Sequence, residues 1–208
     1  MKAAKDAFWK IFLLSLIFLG AISNPASAAT FNITTVDEQG KPVPETVIFL
    51  ESSDASRAVK PLALAEMAQK DKTFVPSVLV IPKGTSVSFP NRDTVRHHVY
   101  SFSPAKRFEL KLYIGTPSNP VIFDQAGVVV LGCNIHDQML SHIVVVDTPW
   151  YGITDSDGVL TLSDIPAGPY RVRAWHSRMR VGEPAQEQAE RLATTASVKI
   201  VMRNLEPQ

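Results

Sequence analysis

The chain is poor in cysteine: 208 residues carry one, Cys133. A single thiol excludes a disulfide within the chain, so Cys133 is a buried bystander, an intermolecular link or a functional thiol. Charge of one sign is also missing. The formal charge is +1, with 21 basic and 20 acidic residues, and no basic run marks a nucleic-acid partner. Long apolar runs are confined to the N-terminus. "IFLLSLIFLGAI" follows a basic-leaning start and precedes Ala26-Ser27-Ala28. This reads as a signal peptide over 1–28, cut before Ala29, which places the mature chain in the periplasm or outside the cell. An uncleaved anchor is the rival reading. Cleavage takes Lys2, Lys5, Lys10 and Asp6 with it and moves the formal charge to −1. No Gly-rich phosphate loop appears, and there is no His-Met-rich tail.

Helical periodicity is scarce as well. Only "LALAEMAQ" (62–69) and the polar "EPAQEQAERL" (183–192) are candidates. What fills the chain instead is short runs rich in Val, Ile, Phe and Tyr, such as "ETVIFLE", "SVLVIPKG", "GVVVLGC" and "SHIVVVD". Turn residues punctuate them, in "DEQGKPVP", "PNRD" and "DSDG". Alternation in Val87-Ser88-Phe89 and in Tyr170-Arg171-Val172-Arg173-Ala174 gives one apolar face and one wet face. The fold class is all-β, of sandwich type. "KRFELKLY" (106–113) reads as a solvated connection.

The chemistry gathers in "LGCNIHDQMLSH" (131–142). Cys133, His136 and Met139 offer a thiolate, an imidazole and a thioether. That soft set favours copper, and a second histidine would complete a His₂Cys site with a weak methionine ligand. The stretch "FPNRDTVRHHVYSF" (89–102) offers two, His97 and His98, on opposite faces of a strand. Periodicity does not choose between them. His142 and His176 read as residues outside the ligand set.

Residues 68–147 resemble a cupredoxin of the plastocyanin and amicyanin type. Asn91, Asp93, His97 and Val99 match that family's N-x-D-x-x-x-H-x-V pattern, and "FVPSVLVIPKGTSVSF" (74–89) matches the strand before it. Cys133-x-x-His136-x-x-Met139 has the short amicyanin-type spacing. The resemblance selects His97 over His98 and implies one type 1 copper held by His97, Cys133, His136 and Met139. It implies a Greek-key sandwich, one-electron transfer, and a redox partner such as a c-type cytochrome or a quinoprotein dehydrogenase. Four protein ligands leave no open position, which points away from an enzyme.

The flanks carry a second resemblance. "FNITTVDEQGKPVPETVIFLE" (31–51) and "TDSDGVLTLSDIPAGPYRVRAWH" (154–176) resemble the two halves of a carboxypeptidase regulatory-like, prealbumin-type sandwich. It implies a small β-sandwich built from 29–59 together with 148–205, with the cupredoxin-like region 60–147 inserted. The alternative is that 31–51 supplies the first strands of the central domain. Other functions open at this point are a copper chaperone or store, and a structural or binding module with a vestigial copper site.

Overall fold

The computed structural model describes residues 28–207. The signal peptide and its cut lie almost wholly outside them. Among the described residues no helix is long and apolar enough to cross a membrane.

The described residues form seventeen strands and one short helix. The first segment holds β1 (Ala28–Val36), β2 (Val47–Glu51) and α1 (Ser53–Ala58). Four short strands and a fifth follow: β3 (Ala65–Glu66), β4 (Ala68–Lys70), β5 (Thr73–Val75), β6 (Val78–Pro82) and β7 (Thr85–Ser88). The central strands are β8 (His97–Ser103), β9 (Lys106–Tyr113), β10 (Val121–Phe123), β11 (Gly127–Gly132) and β12 (Leu140–Val146). The last segment holds β13 (Tyr151–Ile153), β14 (Val159–Pro166), β15 (Gly168–Trp175), β16 (Gln186–Leu192) and β17 (Ala196–Val201).

Both helix candidates are strand instead. Residues 65–70 form β3 and β4, and 186–192 form β16, an edge strand of the order β13-β2-β15-β16. An edge strand exposes one flank, so it tolerates the polar residues that suggested a helix. The stretch 106–113 is likewise β9, the edge of β6-β12-β11-β8-β9, not a connection. The helix that does form, Ser53–Ala58, is capped by Ser52, whose side chain accepts from Ala55 N at 3.1 Å.

Residues 31–51 pair with the C-terminal third of the chain. β1 runs antiparallel to β14 and parallel to β17, and β2 pairs with β13 and β15. None of these partners lies within 68–147. β1 alternates through Thr34: Ala29, Phe31 and Ile33 are buried, while Thr30, Asn32 and Thr34 are only part-covered. Together with Val47, Leu50, Val172 and Trp175 they form one apolar core. A tight turn closes it. Gly158 sits at φ +72, and a Cβ there would fall 2.6 Å from Thr35 O, so only glycine lets β14 approach β1 this closely.

The second core lies within 67–145 and contains Ile81, Phe89, Val99, Phe123, Val129, Leu131, Cys133 and Met139. β12 belongs to both cores. Ile143 and Val145 point into the second, and Val144 and Val146 into the first. This explains why "HIVVV" lacks alternation: a strand covered on both faces is apolar throughout.

Candidate metal centre

His97 begins β8, next to an irregularity in its pairing with β9: His97 faces Tyr113, while Val99 faces Leu110. A bulge of this kind re-aims a side chain at the rim of a sheet. The loop before it is pinned by Asn91. Its side-chain amide donates to Val95 O at 2.8 Å and to Tyr113 O at 2.9 Å, and its carbonyl accepts from Asp93 N at 2.9 Å. Asp93 in turn accepts from the backbone N–H of Asp71 at 2.7 Å and of Lys72 at 2.9 Å. Its Oδ2 lies 2.7 Å from His97 Nε2. Partial burial works to raise the Asp93 carboxyl, but the backbone donors and His97 outweigh it and hold the group below the ordinary carboxylate range.

With Nε2 engaged by Asp93, the other ring nitrogen of His97 faces the thiol. Nδ1 lies 3.9 Å from Cys133 Sγ, and His136 Nδ1 lies 3.8 Å from the same sulfur. The two imidazole centroids are 5.0 Å apart. All three donor atoms lie within 4.8 Å of one another. Bonds of about 2.0–2.3 Å from a common ion to nitrogen and sulfur, opened to about 110–120°, put such donors about 3.6–3.8 Å apart. The donor set and its spacing therefore fit a metal of the soft to borderline class.

His97 is fully buried and Cys133 nearly so, while His136 is half-buried. The Cys133–Met139 loop turns back on itself, with Met139 N donating to His136 O at 2.9 Å. Met139 is buried in the same apolar cluster as Cys133. Tyr113, opposite His97, donates its hydroxyl toward Gln69 Oε1 and Phe89 O, both at 2.7 Å. Its burial pushes the phenol above its ordinary pKa, so the group beside the thiol stays neutral.

The other histidines are elsewhere. His98 turns to the opposite side of β8, where Nε2 lies 3.0 Å from Glu109 Oε1, without the alignment of a hydrogen bond, and its ring meets Tyr100. His142 packs on Trp175, with centroids 5.0 Å apart, and burial lowers its pKa. His176 is buried beside the first core. Asp93 was legible only as part of a motif. Its anchors, the 71–72 amides, lie more than twenty residues away, and no local signal announces them.

No protein-family model matches the chain, and no curated protein does. Solved structures that resemble part of it include a purple cupredoxin from Nitrosopumilus maritimus. That match has 22% identity and a TM-score of 0.35, over 39% of this chain and 99% of that one. A copper-containing nitrite reductase from Thermus scotoductus matches at 22% identity and a TM-score of 0.38, over 55% of this chain and only 28% of the reductase. A variant of amicyanin matches at 18% identity and a TM-score of 0.36, over 48% of this chain and 98% of that one.

Proposed function

We propose that this chain binds one copper ion through His97, Cys133, His136 and Met139 and carries single electrons between larger redox proteins. The observation that carries the reading is the convergence of His97, 36 residues away in sequence, on the Cys133–His136 loop, with all three donor atoms within 4.8 Å. Bound there, copper would supply a one-electron couple. The residues do the rest. Asp93 fixes the His97 ring, a buried sheet fixes Cys133, and Met139 adds a thioether from the same core. A frame this rigid keeps reorganisation small when the charge of the site changes.

His136 reaches toward solvent, and the exposed side chains Val95, Ile135 and Leu140 supply apolar surface on the flanking segments. A c-type cytochrome or quinoprotein dehydrogenase is the proposed kind of partner, and the role is that of a carrier and not of an enzyme. Export to the periplasm belongs to the same reading. So does the division into a cupredoxin-type region over 60–147 and a prealbumin-type sandwich over 29–59 and 148–205. The pairing of β1 and β2 with β13, β14, β15 and β17 supports that division.

The test is a visible and electron paramagnetic resonance spectrum after one equivalent of Cu(II), on the protein and on Cys133→Ser, His97→Ala and His98→Ala. An intense blue band with narrow hyperfine splitting, lost in the first two variants and kept in the third, is the expected result. A weakly absorbing signal indifferent to Cys133 would overturn electron transfer and turn attention to copper storage.

A further inference from the structure

The charges around His97, Cys133 and His136 do not balance. Asp93 Oδ2 lies 2.7 Å from His97 Nε2, and the carboxylate also accepts from the backbone N–H groups of Asp71 and Lys72. With Nδ1 of His97 turned to Cys133, Nε2 carries the hydrogen. Each of these contacts therefore brings an N–H, and the carboxyl serves only as an acceptor, in its anionic form. The donors are dipoles and not cations. Among the described residues Asp93 pairs with no lysine or arginine, since the adjacent Arg92 reaches Glu66 Oε1 at 2.5 Å instead. The Asp93 side chain is 12% exposed, and the His97 ring it holds is fully buried.

The rest of the cluster adds no positive charge. A metal-bound Cys133 is a thiolate and brings a second negative charge, while imidazole and thioether ligands are neutral. Tyr113 keeps its proton, with its hydroxyl directed to Gln69 Oε1 and Phe89 O. His98 and Glu109 face each other on the opposite side of β8. Arg96 and Asp137, each next to a ligand in sequence, are exposed and of opposite sign. Water and salt screen exposed charges far more than buried ones. Two negative charges thus remain in the covered part of the site. A divalent ion cancels both, whereas a monovalent ion leaves one uncompensated where solvation is poor.

We propose that Asp93 sets the charge preference of this site: its carboxylate makes the site select a divalent over a monovalent ion, Cu(II) over Cu(I), and so lowers the copper potential. This rests on the copper reading above. Asp93 is a positioning residue that acts through the His97 ring, and its charge is separable from its aim. Orienting His97 serves both ions alike; a negative charge behind the ring favours the more positive one.

Affinities for Cu(II) and Cu(I) are measured separately, each by competition with a chelator of known affinity for that ion, on the protein, Asp93→Asn and Asp93→Glu. Asn removes the charge at nearly constant size. Its Cu(II) affinity should fall about tenfold more than its Cu(I) affinity. The midpoint potential should rise by about 59 mV, the equivalent of that ratio for one electron. Asp93→Glu keeps the charge, so its ratio of the two affinities should stay close to that of the unaltered protein even where both affinities fall. Asp93→Ala removes the charge by another route, should shift the ratio the same way, and serves if the Asn variant melts early. Equal losses for the two ions in the neutral variants overturn the proposal and leave the copper reading standing. So does an Asp93→Glu ratio that matches the neutral variants. Copper binding indifferent to Cys133→Ser defeats the copper reading and this proposal with it.

Discussion

Asp93 holds His97 by its outer nitrogen, 2.7 Å from Oδ2 to Nε2, and thereby turns Nδ1 toward Cys133. An outer carboxylate of this kind fixes the tautomer and the angle of a metal-binding imidazole. Asp93→Ala is therefore expected to weaken copper binding by about 10–100-fold, with Asp93→Asn falling between. Competition against a chelator of known affinity measures it. Equal affinity in all three proteins would mean that packing alone orients His97.

Both faces of β12 should prove sensitive. Ile143→Ala is expected to cost about 2–5 kcal/mol, as truncations of large buried aliphatics do. Val144→Ala, on the opposite face, should cost about 1–3 kcal/mol and not the near-zero value of an exposed position, because it is 1% exposed. Urea denaturation gives both values. An unaffected midpoint for Val144→Ala would show that the flanking sheet does not cover β12 in solution.

Two glycine turns separate backbone strain from steric clash. Gly40 and Gly158 both have positive φ, +82 and +72, but a Cβ on Gly40 meets nothing within 4 Å. Gly40→Ala should cost about 1 kcal/mol, from the left-handed conformation alone. Gly158→Ala adds the contact with Thr35 O and should cost about 2–4 kcal/mol. Thermal melts of the two variants side by side check the difference.

His176 ties stability to pH. Its Nδ1 accepts from Arg178 N–H at 3.0 Å, which requires that nitrogen unprotonated. Burial, and then the Arg178 charge, lower its pKa, against smaller opposing effects from Pro44 O and Glu45. Burial also lowers His142. The folded protein thus binds fewer protons than the unfolded chain just below the ordinary histidine value of about 6.5. Stability from these groups is fully present above that value and is lost as pH falls through and below it. The urea midpoint should drop between pH 7.5 and 5.5, and the drop should shrink in His176→Gln. A midpoint flat over that interval would contradict the assignment.

Much of this was legible in the sequence, for reasons that can be named. Cys133, His136 and Met139 sit on one loop, so their proximity is covalent. His97 and His98 compete on adjacent positions, and only the folded strand shows that Glu109 and Tyr100 receive His98. Apolar runs revealed β2, β11 and β12 because β2 and β12 are buried and β11 is at least half-buried on both faces. β9 and β16 were missed because both are edges, where charged residues replace the apolar signal. The six-residue helix after Ser52 is too short for periodicity to register. The pairing of β1 with β17 spans most of the chain, a distance at which no local pattern speaks.

Because β12 is the inner wall of two cores, a change in packing on one side of this molecule bears on the other. A substitution that suits the Cys133 side at Ile143 or Val145 shifts the strand that presents Val144 and Val146 to the other side. Cutting away the flanking strands would leave His142, Val144 and Val146 facing water. The descent of the two halves is expected to run in step, with residues 141–146 the slowest stretch to drift.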